Sequence, residues 1–228
     1  MQDSRLVLVP PDRLPGWVRR FGERNGDFST QAAPGVVVLR AVNGCTAEIK
    51  VPQADVATSG HAEPETVPSE TEPSSPDAAV ENLLRLTAAP RTVGLLLVRR
   101  GGYGVGVSRN GELLASKTGT RYVQSRTAAG GWSQQRFARR RANQADALVE
   151  STVERAAAIF GDFALDVMQP GGDAQLVGEC LAQSPLATYR SLPRLPHLPV
   201  QDPRLDVLRK AATDANAVRI HLTGIPAG

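Results

Sequence analysis

The sequence predicts a mixed α/β (α+β) fold, an antiparallel β-meander followed by a long helix and a strand–helix–strand unit. Three observations carry this. Three short apolar or alternating runs between 93 and 117 are separated only by Gly-Gly and Ser-Arg-Asn-Gly turns. Apolar residues then recur every three or four positions up to Phe160. Beyond Gly161 the pattern returns to alternating strand-like and helix-like runs. The 228 residues, 41% hydrophobic and 21% charged, are enough for a buried core and exclude wholesale disorder.

From the N-terminus, Leu6 to Val9 reads as a strand, and Pro15, Trp17, Val18 and Phe21 suit a short amphipathic helix. Val36 to Val42 and Thr46 to Val51 flank Asn43-Gly44, a hairpin signal because Asn and Gly accept the left-handed backbone of a tight turn. Residues 1–53 are therefore expected to be N-terminal strands and a short helix packing on the main domain. Between Lys50 and Arg85 there is no Lys or Arg, seven acids occur, and Pro64, Pro68, Pro73 and Pro76 are interleaved with Ser and Thr. Such a stretch cannot bury enough apolar surface to offset its ordering entropy, so 54–79 reads as an acidic flexible linker. The main domain is expected over 80–228.

Within it, Val80 to Leu86 reads as a short helix, Val93 to Val98 as an apolar strand, Tyr103 to Val107 as a second and Glu112 to Lys117 as a third. Gly102, Gly104 and Gly106 mimic a dinucleotide-binding loop, but a turn and a strand follow where such a loop needs a helix. Glycines on one strand face instead mark the close approach of another element. Thr118 to Ser133 reads as a long exposed loop, and a helix is expected from about Gln134–Phe137 to Phe160. Then come Phe163 to Val167 as strand, Pro170-Gly171-Gly172 as turn, Ala174 to Ala182 as helix and Ala187 to Leu192 as strand. A Pro-stiffened connector, a helix over Asp206 to Asp214 and a last strand over Val218 to Leu222 complete the chain.

Several function classes are disfavoured. Cys45 and Cys180 are too few for a disulfide framework or a four-cysteine zinc site, and both sit among small or apolar residues, as buried thiols do. His61, His197 and His221 have no metal-ligand spacing, so neither a metal nor another cofactor is expected. No apolar run reaches the roughly 20 residues of a membrane-spanning helix, so no membrane partner is expected. The N-terminus lacks the basic start and apolar stretch of a signal peptide, which predicts a cytoplasmic protein.

Charge is the stronger functional signal. Residues 91–141 hold eleven Lys or Arg and one acid, Glu112, whereas the whole chain has a net charge of only +3. A basic block in an otherwise acidic chain is an electrostatic footprint for a polyanion, or else a solvated charged face. Beside it runs Gly130-Gly131-Trp132-Ser133-Gln134-Gln135-Arg136-Phe137-Ala138-Arg139-Arg140-Arg141. Arginine at a helix N-terminus opposes the helix dipole, so this cluster points to an external partner, and phosphates fit best. The candidate RNA contacts are Arg126, Arg136, Arg139, Arg140 and Arg141.

The stretch from Arg121-Tyr122 through Gly130-Gly131-Trp132-Ser133-Gln134 into the Ala/Arg-rich helix resembles the Vms-like release factor (VLRF) family. That family is related to the central domain of eukaryotic and archaeal class-1 peptide release factors, which carry a Gly-Gly-Gln tip between a β-meander and a long helix. Element order is similar over about 91–192. Abundant Arg and Ala with only three Lys look like a GC-rich actinobacterial genome, where a bacterial branch of the family occurs. One departure stands out: Trp132 and Ser133 separate Gly-Gly from the first Gln. The family glutamine maps to Gln134, with Gln135 as the alternative.

The resemblance implies a release-factor-like domain, hydrolysis of peptidyl-tRNA on the large ribosomal subunit and a role in rescue or translation quality control. Gly130, Gly131, Trp132 and Ser133 would form the loop. Some relatives are thought to cut the tRNA near its 3′ end instead of the ester, and a non-catalytic RNA- or ribosome-binding module would also use the arginines. No DNA partner is implied.

Overall fold

The structure is a computed structural model that describes residues 4–33, 36–50, 78, 81, 84–85, 90–120 and 133–224, with 33 and 133–143 described as backbone only. The chain divides into two compact units, one of Met1–Pro90 with Asn216–Gly228, the other Arg91–Ala215.

In the first unit, β1 (Arg5–Val9) leads through a 3-10 turn into helix α1 (Leu14–Asn25), followed by β2 (Phe28–Ala33), β3 (Val36–Ala41) and β4 (Thr46–Lys50). The last strand of the chain, β9 (Val218–Thr223), inserts between β1 and β4 to give the all-antiparallel order β1-β9-β4-β3-β2. Burial alternates along β3 and β4, as in a sheet with one face on a core. That face packs Leu39, Ile49, Val218 and Ile220 against Leu14, Val18 and Phe21 of α1. In the β3–β4 turn Gly44 takes φ +88°, and the Asn43 carboxamide oxygen accepts the Cys45 N–H at 3.0 Å.

In the second unit, β5 (Thr92–Arg99), β6 (Gly102–Arg109) and β7 (Glu112–Thr120) form the meander. Helix α2 (Ser133–Phe160) then returns the chain to β8 (Val167–Gly172), which pairs in parallel with β5, giving the order β7-β6-β5-β8. Leu96, Val98, Tyr103, Val105 and Val107 face one core with Leu148, Val149, Val153, Ala156 and Phe160 of α2, and with α3 (Ala174–Ala182). The opposite face lies under the C-terminal helix α4 (Leu205–Asn216): a Cβ on Gly104 would stand 3.0 Å from the Pro203 carbonyl oxygen and 3.1 Å from Leu208. Gly104 thus admits a neighbouring layer, whereas Gly106 lies against Ala115 and Leu113 of β7 in the same sheet, and β5 and β6 are buried along seven of their eight residues.

The mixed α/β class, the meander, the β3–β4 hairpin and the long helix form as the sequence indicates. Other elements differ, each for a physical reason. The alternation Phe163 to Val167 is not a strand. Phe163 closes a turn onto the Phe160 carbonyl at 3.1 Å, and Phe163 and Leu165 pack on the α2 core. The strand is instead Val167–Gly172 and absorbs the expected Pro170-Gly171-Gly172 turn. Proline is tolerated because β8 pairs outward only with the connector. The Pro170 carbonyl accepts Leu198 N–H at 3.0 Å, and the Gln169 side-chain nitrogen donates to the Pro196 carbonyl at 2.7 Å, taking the place of a backbone donor.

Ala187 to Leu192 is not a strand either. Ser184–Ser191 is a 3-10 helix with proline in its first turn, and its three-residue period turns Leu186, Tyr189 and Leu192 to the core. Strand β2 had no clear sequence signal. The last strand, placed by sequence order within 80–228, belongs to the sheet of the N-terminal unit. Residues 118–120 continue β7 instead of opening a loop.

Candidate active site

β7 ends at Thr120 and α2 begins at Ser133, so the helix starts within a residue of the expected position. Gly130, Gly131, Trp132 and Arg126 lie outside the described residues, as does most of the 54–79 segment. Gln134 and Gln135 occupy the first turn of α2, not a loop beyond it, followed by Arg136, Arg139, Arg140 and Arg141 within the next two turns. At about 3.6 residues per turn, positions 134 and 138 share the azimuth of the buried Leu148, Thr152 and Ala156, and position 135 that of the buried Val153. Positions 136, 139 and 140 lie on the opposite side, and 141, seven residues before Leu148, lies close to its azimuth. Three of the four arginine positions therefore share the face opposite the core, and Arg141 stands apart from them. With a rise of about 1.5 Å per residue, Gln134 stands about 21 Å along the axis from Leu148.

The first turn of α2 contains no acid. Backbone N–H groups at a helix start carry a partial positive charge, and arginine positions beside them add to it, so this end of the unit is suited to an anion. At the end of the sheet from which the chain leaves for this helix, Thr120 faces Gly102, and Gly102 faces Arg99.

The other end of the sheet is chemically closed. Arg109 donates through Nε and Nη2 to the Thr92 hydroxyl at 3.2 and 3.0 Å. The Thr92 N–H donates to the Asp166 carboxylate at 2.7 Å. Partial burial lowers the Arg91 pKa, and the charge of Asp166 works against that shift. The two thiols are poor nucleophiles. Burial, then Glu179, pushes Cys180 up to about 12, and burial also raises Cys45. No group of three or more metal-ligating side chains occurs among the described residues.

The meander thus leads, through the segment whose sequence carries Gly130-Gly131, into a long helix with glutamine in its first turn. Residues 91–221 match the family described as the Actinobacteria/chloroflexi VLRF1 release factor, over half of the chain. The protein belongs to that family, and membership carries a translation-related role. No curated protein matches the chain. A solved structure described as an archaeal protein is similar at 15% identity and a TM-score of 0.37, over 78% of this chain and 51% of that one. The chain thus spans about half the length of that structure, and at this score the likeness carries no functional argument. Among the described residues no helix is long and apolar enough to cross a membrane.

Proposed function

We propose that the protein is a ribosome-associated peptidyl-tRNA hydrolase that releases stalled nascent chains in the cytoplasm, with Gln134 as the residue on which chemistry depends. The observation that carries this reading is the position of Gln134, directly after Gly130-Gly131-Trp132-Ser133 and in the first turn of α2, within a family of release factors.

A carboxamide is neither acid nor base at neutral pH, but it donates and accepts at once. Placed at the 3′ end of peptidyl-tRNA, it holds a water against the ester carbonyl and donates to the oxyanion that forms. The proton leaves through solvent or RNA hydroxyl groups. Gly130 and Gly131 have no Cβ and so permit close passage along an RNA backbone. The arginines near the helix start hold phosphates. Gln135 is the alternative catalytic position, because the two-residue spacing between Gly-Gly and Gln leaves either amide able to arrive.

The test is single-turnover release from stalled ribosomal complexes carrying labelled peptidyl-tRNA, with Gln134→Ala and Gln135→Ala, followed by analysis of the tRNA 3′ end. An intact CCA end with free peptide supports ester hydrolysis, and a shortened end assigns tRNA cleavage instead. Wild-type rates in both variants would overturn the glutamine mechanism in favour of a binding module.

A further inference from the structure

We infer that the β5–β6 hairpin, through Arg99 and Arg100, is a second RNA-phosphate contact, independent of the arginines at the start of α2. The inference rests on the ribosomal reading above and adds to it which surface of the domain meets RNA.

The sheet places this hairpin. Arg99 pairs with Gly102, and Gly102 with Thr120, the last described residue before the Gly-Gly segment. With neighbouring strands about 4.8 Å apart, the Arg99 backbone lies about 10 Å from the point where that segment leaves the sheet. Both arginines are exposed. Among the described residues Arg99 is held from one side only: its Nη1 donates to the Val200 carbonyl at 3.0 Å, which orients the guanidinium and leaves its other N–H groups to a ligand. Arg100 has no carboxylate partner among the described residues, nor has the exposed Lys117 on β7. At the far end of the same strands, Arg109 is bonded to Thr92, and Arg91 is opposed by Asp166.

Helix α2 repeats this polarity. It runs from the Thr120 end toward the Thr92 end, because residue 166, six beyond its last residue, bonds to Thr92. Four of its five arginines occupy the first third, and the fifth, Arg155, stands beside Glu154. Asp146, Glu150 and Glu154 then form an exposed row at successive i, i+4 positions. Acids far from the N-terminus gain nothing from the dipole. The acidic row disfavours a polyanion along the second half of α2 and leaves the arginine-bearing start of the helix as its approach; the acids near the hairpin are Asp173 and Asp202, the latter paired with Arg204. The cations of that end include the hairpin.

The experiment measures binding of the full chain to vacant large ribosomal subunits as a function of salt, for wild type, Arg100→Gln, Arg99→Gln/Arg100→Gln and the charge-matched control Arg155→Gln. Arg155 is exposed on the far half of α2 beside Glu154. Arg100→Gln disturbs no internal bond of the described residues, so it guards against a folding artefact of the double variant. Each lost phosphate contact should flatten the slope of log K against log salt by roughly 0.7–0.9. The expected result is one such step for Arg100→Gln, about two for the double variant and none for the control. Equal slopes for wild type, Arg100→Gln and Arg155→Gln, with ribosome binding intact, would overturn the hairpin contact and leave the ribosomal reading standing. Absence of wild-type ribosome binding would overturn both.

Discussion

The two sheets of this protein solve the burial problem differently. In the N-terminal unit one face of the sheet is covered, and β3 and β4 alternate between buried and part-exposed residues. In the second unit β5 and β6 are buried on both faces, between α2 with α3 on one side and α4 on the other. A sheet covered twice is a firmer platform, because each strand is held by packing from two layers as well as by its ladder. The family match includes that whole platform and β9 as far as 221, so it reaches into the sheet of the other unit.

The comparison is broken most severely by removing β9. Val218 and Ile220 are fully buried, and the strand bonds on one side to β1 and on the other to β4. Truncation after Ala217 should abolish cooperative folding of the N-terminal unit while β5 and β6 amides keep their protection. Hydrogen exchange reads both, and persistent protection of β4 would refute the dependence. Next in size is Gln134→Ala, expected to lower single-turnover release by about 10²–10³ with the melting temperature unchanged. A fall in both would mean that the residue serves the fold.

Gly172→Ala should then destabilise the second unit by about 2–4 kcal/mol. Gly172 has φ +91°, and an added Cβ would overlap the Val98 carbonyl. Gly44→Ala in the other unit also meets a positive φ, +88°, but open space around it, so it should cost only about 1 kcal/mol. Chemical denaturation of the two variants compares the doubly covered sheet with an exposed turn directly.

The smallest effect concerns Cys180. Its folded pKa is raised from 9.0 to about 12, so the neutral thiol is the form the fold favours. Its stabilising contribution is complete below about pH 9 and is lost as pH rises toward 12. Melting temperature measured from pH 8 upward should fall less steeply in Cys180→Ala than in wild type, and native Cys180 should resist thiol reagents at neutral pH. Identical alkaline slopes would show that burial of this thiol is not coupled to folding.

Elements whose signal is local were legible in the amino-acid order. Asn43-Gly44 marks its own turn, Gly101-Gly102 and Asn110-Gly111 lie at the ends of the meander strands, and the 3–4 spacing from Ala145 to Phe160 makes a helix whatever covers it. The charge block and the Gly-Gly-Trp-Ser-Gln-Gln run were legible for the same reason, since charge and residue type need no partner to be read. Partnership itself was not. Val218 to Thr223 is a good strand by composition, but only the core of the N-terminal unit, which buries Val218 and Ile220 beside residues some 170 to 200 positions earlier, decides which strands it joins. Pro170-Gly171-Gly172 reads as a turn in isolation. It becomes a strand because β5 supplies a parallel ladder on one side, and Gln169 supplies a donor on the other in place of the proline N–H. Hydrophobic period and turn chemistry act over a few residues, whereas the choice of neighbour is settled by which faces can be buried together, and that exists only once the chain has folded.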